Sequence, residues 1–158
     1  MNQITTSQLL YIETEIGPKS VTRCHYQQYA ISLPLTINNT LIYLLELHQK
    51  SLPLQKKLAK RLLQINKKVP LYVNETLILF PLKNHRSPIQ IYINAYYIIG
   101  IQSKSDATLI QFSNTKSLVV DEPYTSIIKK WQESLLLCHL ITHSYSCLLY
   151  TSPSPRDV

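Results

Sequence analysis

At Val69-Pro70 the apolar period of this chain changes, and that change decides what it can fold into. From Leu52 to Lys68 the pattern is helical: at about 100° per residue, Leu54, Leu58, Ala59, Leu62, Leu63 and Ile65 gather on one half of the wheel. Pro53 suits the first turn of such a helix. Pro70 ends it, because its ring disfavours the helical region for Val69. Beyond Pro70 the period is two. Leu71 to Val73 and Thr76 to Phe80 flank a hairpin turn at Asn74-Glu75, and Ile89, Ile91 and Ile93 alternate with Gln90 and Tyr92.

The remaining segments follow the same logic. Leu9 to Glu15 reads as a strand, Val21 to Leu33 holds a second one closed by Pro34, and Thr40 to His48 reads as a Leu-rich helix. Tyr96 to Gln102, Leu109 to Phe112 and Leu118 to Val120 are further strands, with Ser113-Asn114-Thr115-Lys116 as a tight turn. Asp121-Glu122-Pro123 opens a C-terminal helix with Thr125 or Ser126 as its N-cap. It runs to about Ile141, with Ile127, Trp131, Leu135 and Cys138 on one face. The predicted fold class is α+β: a mainly antiparallel sheet, an amphipathic basic helix before the central strands and a C-terminal helix. Residues 1–146 form one domain of ordinary size. Cys147 to Val158 breaks the style of the rest. It looks like translated read-through of a sequencing adapter, is expected to be disordered, and is set aside from the fold, which leaves the natural C-terminus open beyond Ser146.

Charge has an address in this chain. Of 16 Lys and Arg, nine lie between Lys50 and Arg86 against a single acid, Glu75, so that segment carries +8 of a net +7 and everything else sums to −1. On the predicted helix Lys56, Lys57, Lys60, Arg61, Lys67 and Lys68 share a sector of roughly 140° with no acid among them. Like charges at i,i+4, as in Lys56/Lys60 and Lys57/Arg61, destabilise a helix. A face that costs stability until a polyanion neutralises it favours nucleic acid over a merely solvated surface or an anionic membrane. Between two strands, Lys83-Asn84-His85-Arg86-Ser87 forms a polar tip. Its Asn and Arg are residue types that read A·T minor grooves and phosphates.

Other functions find little footing. Two Gly make a Gly-rich phosphate loop nearly impossible, and no nucleophile elbow, Cys-x-x-Cys or paired-carboxylate motif is present, so no enzyme is expected. Cys24 and Cys138 are too few and too far apart for a zinc site or a disulfide framework and read as reduced, partly buried thiols. His139 and His143, at i,i+4, are a weak ligand pair, so no metal or other cofactor is expected. No apolar run reaches the roughly 18 residues of a membrane span, and the first residues lack the pattern of a secretory signal, which makes the cytoplasm the expected compartment.

Several spacings resemble the competence transcription factor family, ComK. They are Lys68-Val69-Pro70 entering a strand, Phe80-Pro81, a polar loop ending in Pro88, and Tyr92-Ile93 where that family usually carries Trp-Ile. Phe112-Ser113-Asn114-x-Lys116 and Tyr124-x-Ser126 before the closing helix complete the set. The departures are Leu82 and Asn84 where Thr and Ser are usual, Gln90 in place of a Cys, a lost Gly-Arg pair, and the missing longer C-terminal region that adaptor-directed proteolysis recognises in some members. The resemblance implies an activator of DNA-uptake genes in low-G+C Gram-positive bacteria, binding paired A/T-rich boxes of duplex DNA through the minor groove as a homo-oligomer. RNA polymerase and an adaptor–protease system are its implied further partners, and the nucleoid its implied place when bound. Two alternatives stand beside it. One is an RNA or single-strand binder stacking bases on Tyr72, Tyr92, Tyr96 and Tyr97. The other is a divergent, non-activating member acting by hetero-association.

Overall fold

The first strand, β1 (Leu9–Glu15), and the hairpin that follows it lie where the alternation begins. The structure, a computed structural model, describes residues 5–151 except Asn114, with side chains as far as His143. Where the sequence suggests one strand from Val21 to Leu33, there are two, β2 (Val21–Tyr26) and β3 (Ala30–Leu33), paired antiparallel. The turn between them contains no Gly, Pro, Asn or Asp. It is closed instead by a hydrogen bond from the Tyr26 N–H to the Tyr29 carbonyl (2.7 Å) and by stacking of the two Tyr rings, 4.8 Å apart.

Helix α1 (Ile37–Glu46) is capped by Thr36, whose hydroxyl accepts from the Asn39 N–H. Helix α2 (Leu52–Leu63) starts at Ser51, whose hydroxyl accepts from the Leu54 N–H, with Pro53 in its first turn. It stops five residues before the predicted end. Gln64 takes the left-handed conformation (φ 56°) and folds its side-chain amide back onto the Arg61 carbonyl at 2.7 Å, satisfying a group that the helix end leaves free. Lys67 and Lys68 are therefore in a loop and not on the helix, and Lys68 also has a positive φ of 50°.

Next come β4 (Leu71–Asn74), β5 (Leu77–Pro81) and β6 (Ile91–Asn94). Together with the first three strands they form one six-stranded sheet in the order β3-β2-β1-β6-β5-β4, antiparallel throughout. Residues Ala95–Tyr97 then form a short 3-10 turn where a strand was expected from Tyr96. A second sheet follows: β7 (Gly100–Ser103), β8 (Thr108–Gln111) and β9 (Ser117–Val120), also antiparallel. Thus the α+β class with antiparallel sheets is the observed one.

The C-terminal helix α3 (Tyr124–Thr151) is longer than its apolar pattern suggests. Thr125 and Ser126 lie inside its first turn instead of capping it, and the Pro123 carbonyl accepts from the Ser126 and Ile127 N–H groups. Its inward stripe is Ile127, Trp131, Ser134, Leu137, Cys138 and Ile141. Leu135, expected on that stripe, sits about 100° from its centre and is 43% exposed. The helix carries the backbone through Cys147 to Thr151, five residues of the segment set aside as tail; Ser152–Val158 lie outside the described residues.

The two faces of the large sheet have separate cores. On one, α1 covers Leu9, Ile12, Cys24, Leu71, Val73, Leu77 and Leu79. On the other, α3 and the small sheet cover Tyr72, Ile78, Phe80 and Ile93. Leu9 and Leu10 enter opposite cores by the ordinary alternation of a strand, and the irregularity between Leu9 and Tyr11 in β1 turns Tyr11 to the same side as Leu10. α2 lies along the edge strand β4 and touches both α1 and α3. Cys24 is buried, its thiol pushed up to about 12 by that burial, and Cys138 is half-buried; both are free thiols.

One polar side chain is sealed inside this framework. Asn94 is completely buried. Its Nδ2 donates to the carbonyls of Leu9 (2.8 Å) and Thr76 (2.9 Å), and its Oδ1 accepts from the backbone N–H groups of Ile78 and Tyr96, both at 3.1 Å. Replacing it with Leu leaves two carbonyls and two N–H groups unpaired, each costing about 1–3 kcal/mol when buried. Asn94→Leu is therefore expected to lower the unfolding free energy by about 3 kcal/mol or more. Urea titration should show the loss as a lower midpoint; a midpoint within error of wild type would contradict the role.

Candidate nucleic-acid interface

The basic residues that are scattered between Lys56 and Arg86 in the chain converge on one groove of about 610 Å³. Pro81 and Tyr92, paired across β5 and β6, contribute to its lining. Lys56 and Lys60 come from one face of α2, a turn apart, and Lys67 and Lys68 from the loop after it. Lys83, Asn84, His85 and Arg86 come from the β5–β6 connection. None of the lining residues is acidic. Of the ten residues singled out in the sequence, eight meet here. Lys57 and Arg61 are exposed on the adjoining flank of α2, about 100° round the helix from Lys56 and Lys60.

The loop bearing Lys67 and Lys68 is held from behind. The ammonium group of Lys130 on α3 donates to the Lys67 carbonyl (3.2 Å) and the Lys68 carbonyl (3.0 Å), and is itself paired with Glu133 at 2.8 Å. A cation thus fixes the backbone of two further cations, possible because it binds their carbonyl dipoles while its own charge is compensated. Sequence reasoning missed Lys130: partners more than 60 residues away leave no local pattern.

The tip is a tight turn. The Ser87 N–H donates to the Asn84 carbonyl (2.9 Å), and the Arg86 N–H donates to the Asn84 side-chain oxygen (3.2 Å), so His85 and Arg86 occupy its two central positions, exposed. Beneath it Gln90, 9% exposed, donates from Nε2 to the Asn84 carbonyl (2.7 Å) and the Ser87 carbonyl (2.8 Å). Gln90 entered the sequence reading as a polar position in a strand alternation and as a departure from a family pattern, and its bracing role could not be read from either.

Lys83 differs from its neighbours. Its ammonium lies 2.7 Å from Asp121 and 2.6 Å from Glu122, at the end of β9, so two acids already compensate it. Hydrogen bonding to Asp121, then to Glu122, raises its pKa above the ordinary 10.5, and the same Lys83 bond holds the Asp121 carboxyl below its ordinary 3.8.

The alternative stacking platform is not assembled. Tyr72 is buried in the core under α3, whereas Tyr92 packs towards the opposite core, and Tyr96 and Tyr97 stand edge to face with each other at 4.9 Å on the 3-10 turn. Tyr72 on β4 and Tyr92 on β6 thus face opposite sides of the large sheet and share no surface. The rings of His139 and His143 stack 5.8 Å apart, and among the described residues no group of three or more His, Cys, Asp or Glu is placed to hold a metal ion. No helix among the described residues is long and apolar enough to cross a membrane.

A family model described as ComK protein matches residues 4–144. The chain belongs to the ComK family. ComK proteins are competence-related transcription factors, and the match covers both cores, the groove and most of α3. No curated protein and no solved structure matches the chain at a significant level.

In this ComK protein the Lys83 cluster should act as a pH-limited brace. The depressed Asp121 carboxyl contributes stability above about pH 3.8 that is lost as the pH falls through its folded value. The raised Lys83 ammonium contributes below about pH 10.5, a contribution lost as the pH rises through its own folded value. Lys83→Met should therefore melt slightly below wild type at pH 7 and together with it at pH 2. Melting curves at the two pH values check this, and a difference that persists at pH 2 would assign the effect of Lys83 to packing.

Proposed function

We propose that the groove binds duplex DNA, with Lys56, Lys60, Lys67 and Lys68 on phosphates and the tip, Asn84 to Arg86, entering the minor groove of A/T-rich sites. The observation that carries this reading is the convergence of seven of the candidate residues, other than the compensated Lys83, on one acid-free groove. Uncompensated cations on three separate segments suit a backbone with one negative charge per about 1.7 Å better than a compact anion. A two-residue tip flanked by phosphate-binding walls suits a narrow groove, where Arg and Asn are among the side chains that read its pattern and width. Membership of the ComK family supports the wider reading of an activator of competence genes that binds as a homo-oligomer and works at the nucleoid with RNA polymerase. Lys57 and Arg61, on the flank of the groove, would add long-range attraction with fewer direct contacts.

Salt titration tests the assignment. Changing Lys56, Lys60 and Lys68 to Gln should flatten the slope of log affinity against log salt by about two to three units, because each lost phosphate contact removes about 0.9. Lys57→Gln with Arg61→Gln should change it less, and Lys83→Gln hardly at all. Arg86→Ala should reduce preference for an A/T-rich duplex over a G/C-rich one by roughly 1–3 kcal/mol while sparing the latter. Fluorescence titrations over roughly 50–300 mM salt, across which the Debye length falls from about 14 to about 6 Å, measure both quantities. An unchanged slope in the triple variant would mean that α2 and the loop after it do not face phosphates and that their cations are merely solvated.

A further inference from the structure

We propose that Gln90 is the positioning residue for sequence discrimination: its side chain sets the shape of the tip that the duplex reading places against base edges. The inference rests on that reading. The nine residues between β5 and β6 contain no regular ladder beyond one bond, from the Leu82 N–H to the Ile91 carbonyl (3.0 Å). The Ser87 and Arg86 N–H groups close the turn on Asn84, and what holds the closed turn from below is the amide of Gln90. It sends its two N–H groups to the carbonyls of Asn84 and Ser87, the first and last residues of the turn, at 2.7 and 2.8 Å. Glutamine suits this because one nitrogen carries two donors in a fixed plane. A cross-brace between the ends of a four-residue turn fixes the direction in which His85 and Arg86 project.

The same residue is fastened to the sheet. The Gln90 N–H donates to the Thr14 hydroxyl (3.0 Å), and the Thr14 N–H donates to the Gln90 carbonyl (2.9 Å). Tip geometry is thus referred through one side chain to β1, the centre of the large sheet. Phosphate contacts from long Lys side chains tolerate displacement of their backbone. Contacts to base edges do not, because a binding constellation has to be held to within about 0.5 Å. Removal of the brace should accordingly affect discrimination and spare phosphate binding.

Gln90→Met keeps length and volume, adds no charge and removes both donors. It is expected to lose at least tenfold of the preference for an A/T-rich duplex over a G/C-rich one. Affinity for the G/C-rich duplex and the salt slope should match wild type. In the free protein the backbone amides of Arg86 and Ser87 should exchange faster with solvent. Should Gln90→Met not fold, Gln90→Asn carries the same test, since its amide is a methylene too short to reach both carbonyls. A folded variant that discriminates as wild type does overturns the inference alone, as does one that loses affinity for both duplexes equally. Wild type that binds both duplexes alike overturns the assignment of the tip to base edges, and the inference with it, while leaving the phosphate contacts of the groove standing.

Discussion

The buried amide of Asn94 is the joint on which the two-sheet arrangement turns. Three strands of the large sheet meet around it, and the chain leaves that sheet for the small one through the 3-10 turn that its oxygen caps. A strand continuing past Asn94 would have extended the ladder. Instead the Tyr96 N–H is claimed by the Asn94 side chain, and the backbone folds over to place β7, β8 and β9 against the core under α3. A polar group is tolerated at zero exposure because all four of its bonding directions are used. Such a fully satisfied group also discriminates against register slips, since a shift of β6 by one residue would move the amide from four partners to none.

That joint matters for the groove because both of its walls are fixed to what Asn94 organises. β5 and β6 carry the tip between them, and α3 carries Lys130, which holds the Lys67–Lys68 loop. The division of labour is physical. Cations that need only a negative charge nearby sit on long, exposed side chains. The tip, whose shape matters, is cross-braced and tied to β1. Lys83, which the sequence groups with the other cations, belongs on the side of bracing: its two acids come from the end of β9, so it ties the base of the tip to the small sheet.

How much of this could be read from the chain depends on how local the cause is. β1, β4, β5, β8 and β9 follow from alternation, and the basic groove follows from charge concentrated in one segment, which is why eight of ten candidate residues meet in it. The tip was visible because Asn84 is a turn residue between two apolar runs. The end of α2 was not, because Gln64 is an ordinary helix former and its left-handed conformation is stabilised by its own side chain and not by glycine. The β2–β3 turn escaped notice for a similar reason, being closed by two stacked Tyr. Gln90, Asn94 and Lys130 act on partners brought close by the fold. A polar residue in an apolar alternation reads as an interruption until the groups facing it are known.

The groove's charge carries a further consequence for the free protein. Lys56 and Lys60 are a turn apart on α2, with Lys67 and Lys68 nearby and no acid lining the space between. Their repulsion opposes the packing of α2 on the edge strand β4. Burial of Leu52 and Ala59, with Leu62 and Leu63 packed behind them, must outweigh it for the helix to stay in place. Salt screens this repulsion over a Debye length of about 10 Å at 0.1 M, falling to about 3 Å at 1 M, so added salt should stabilise the empty groove even as it would weaken the proposed polyanion binding. The two effects have opposite signs and a common origin. On the duplex reading proposed above, a polyanion would relieve the same repulsion directly, so part of its binding energy would come from stress already present in the fold, a part that depends on charge and not on sequence.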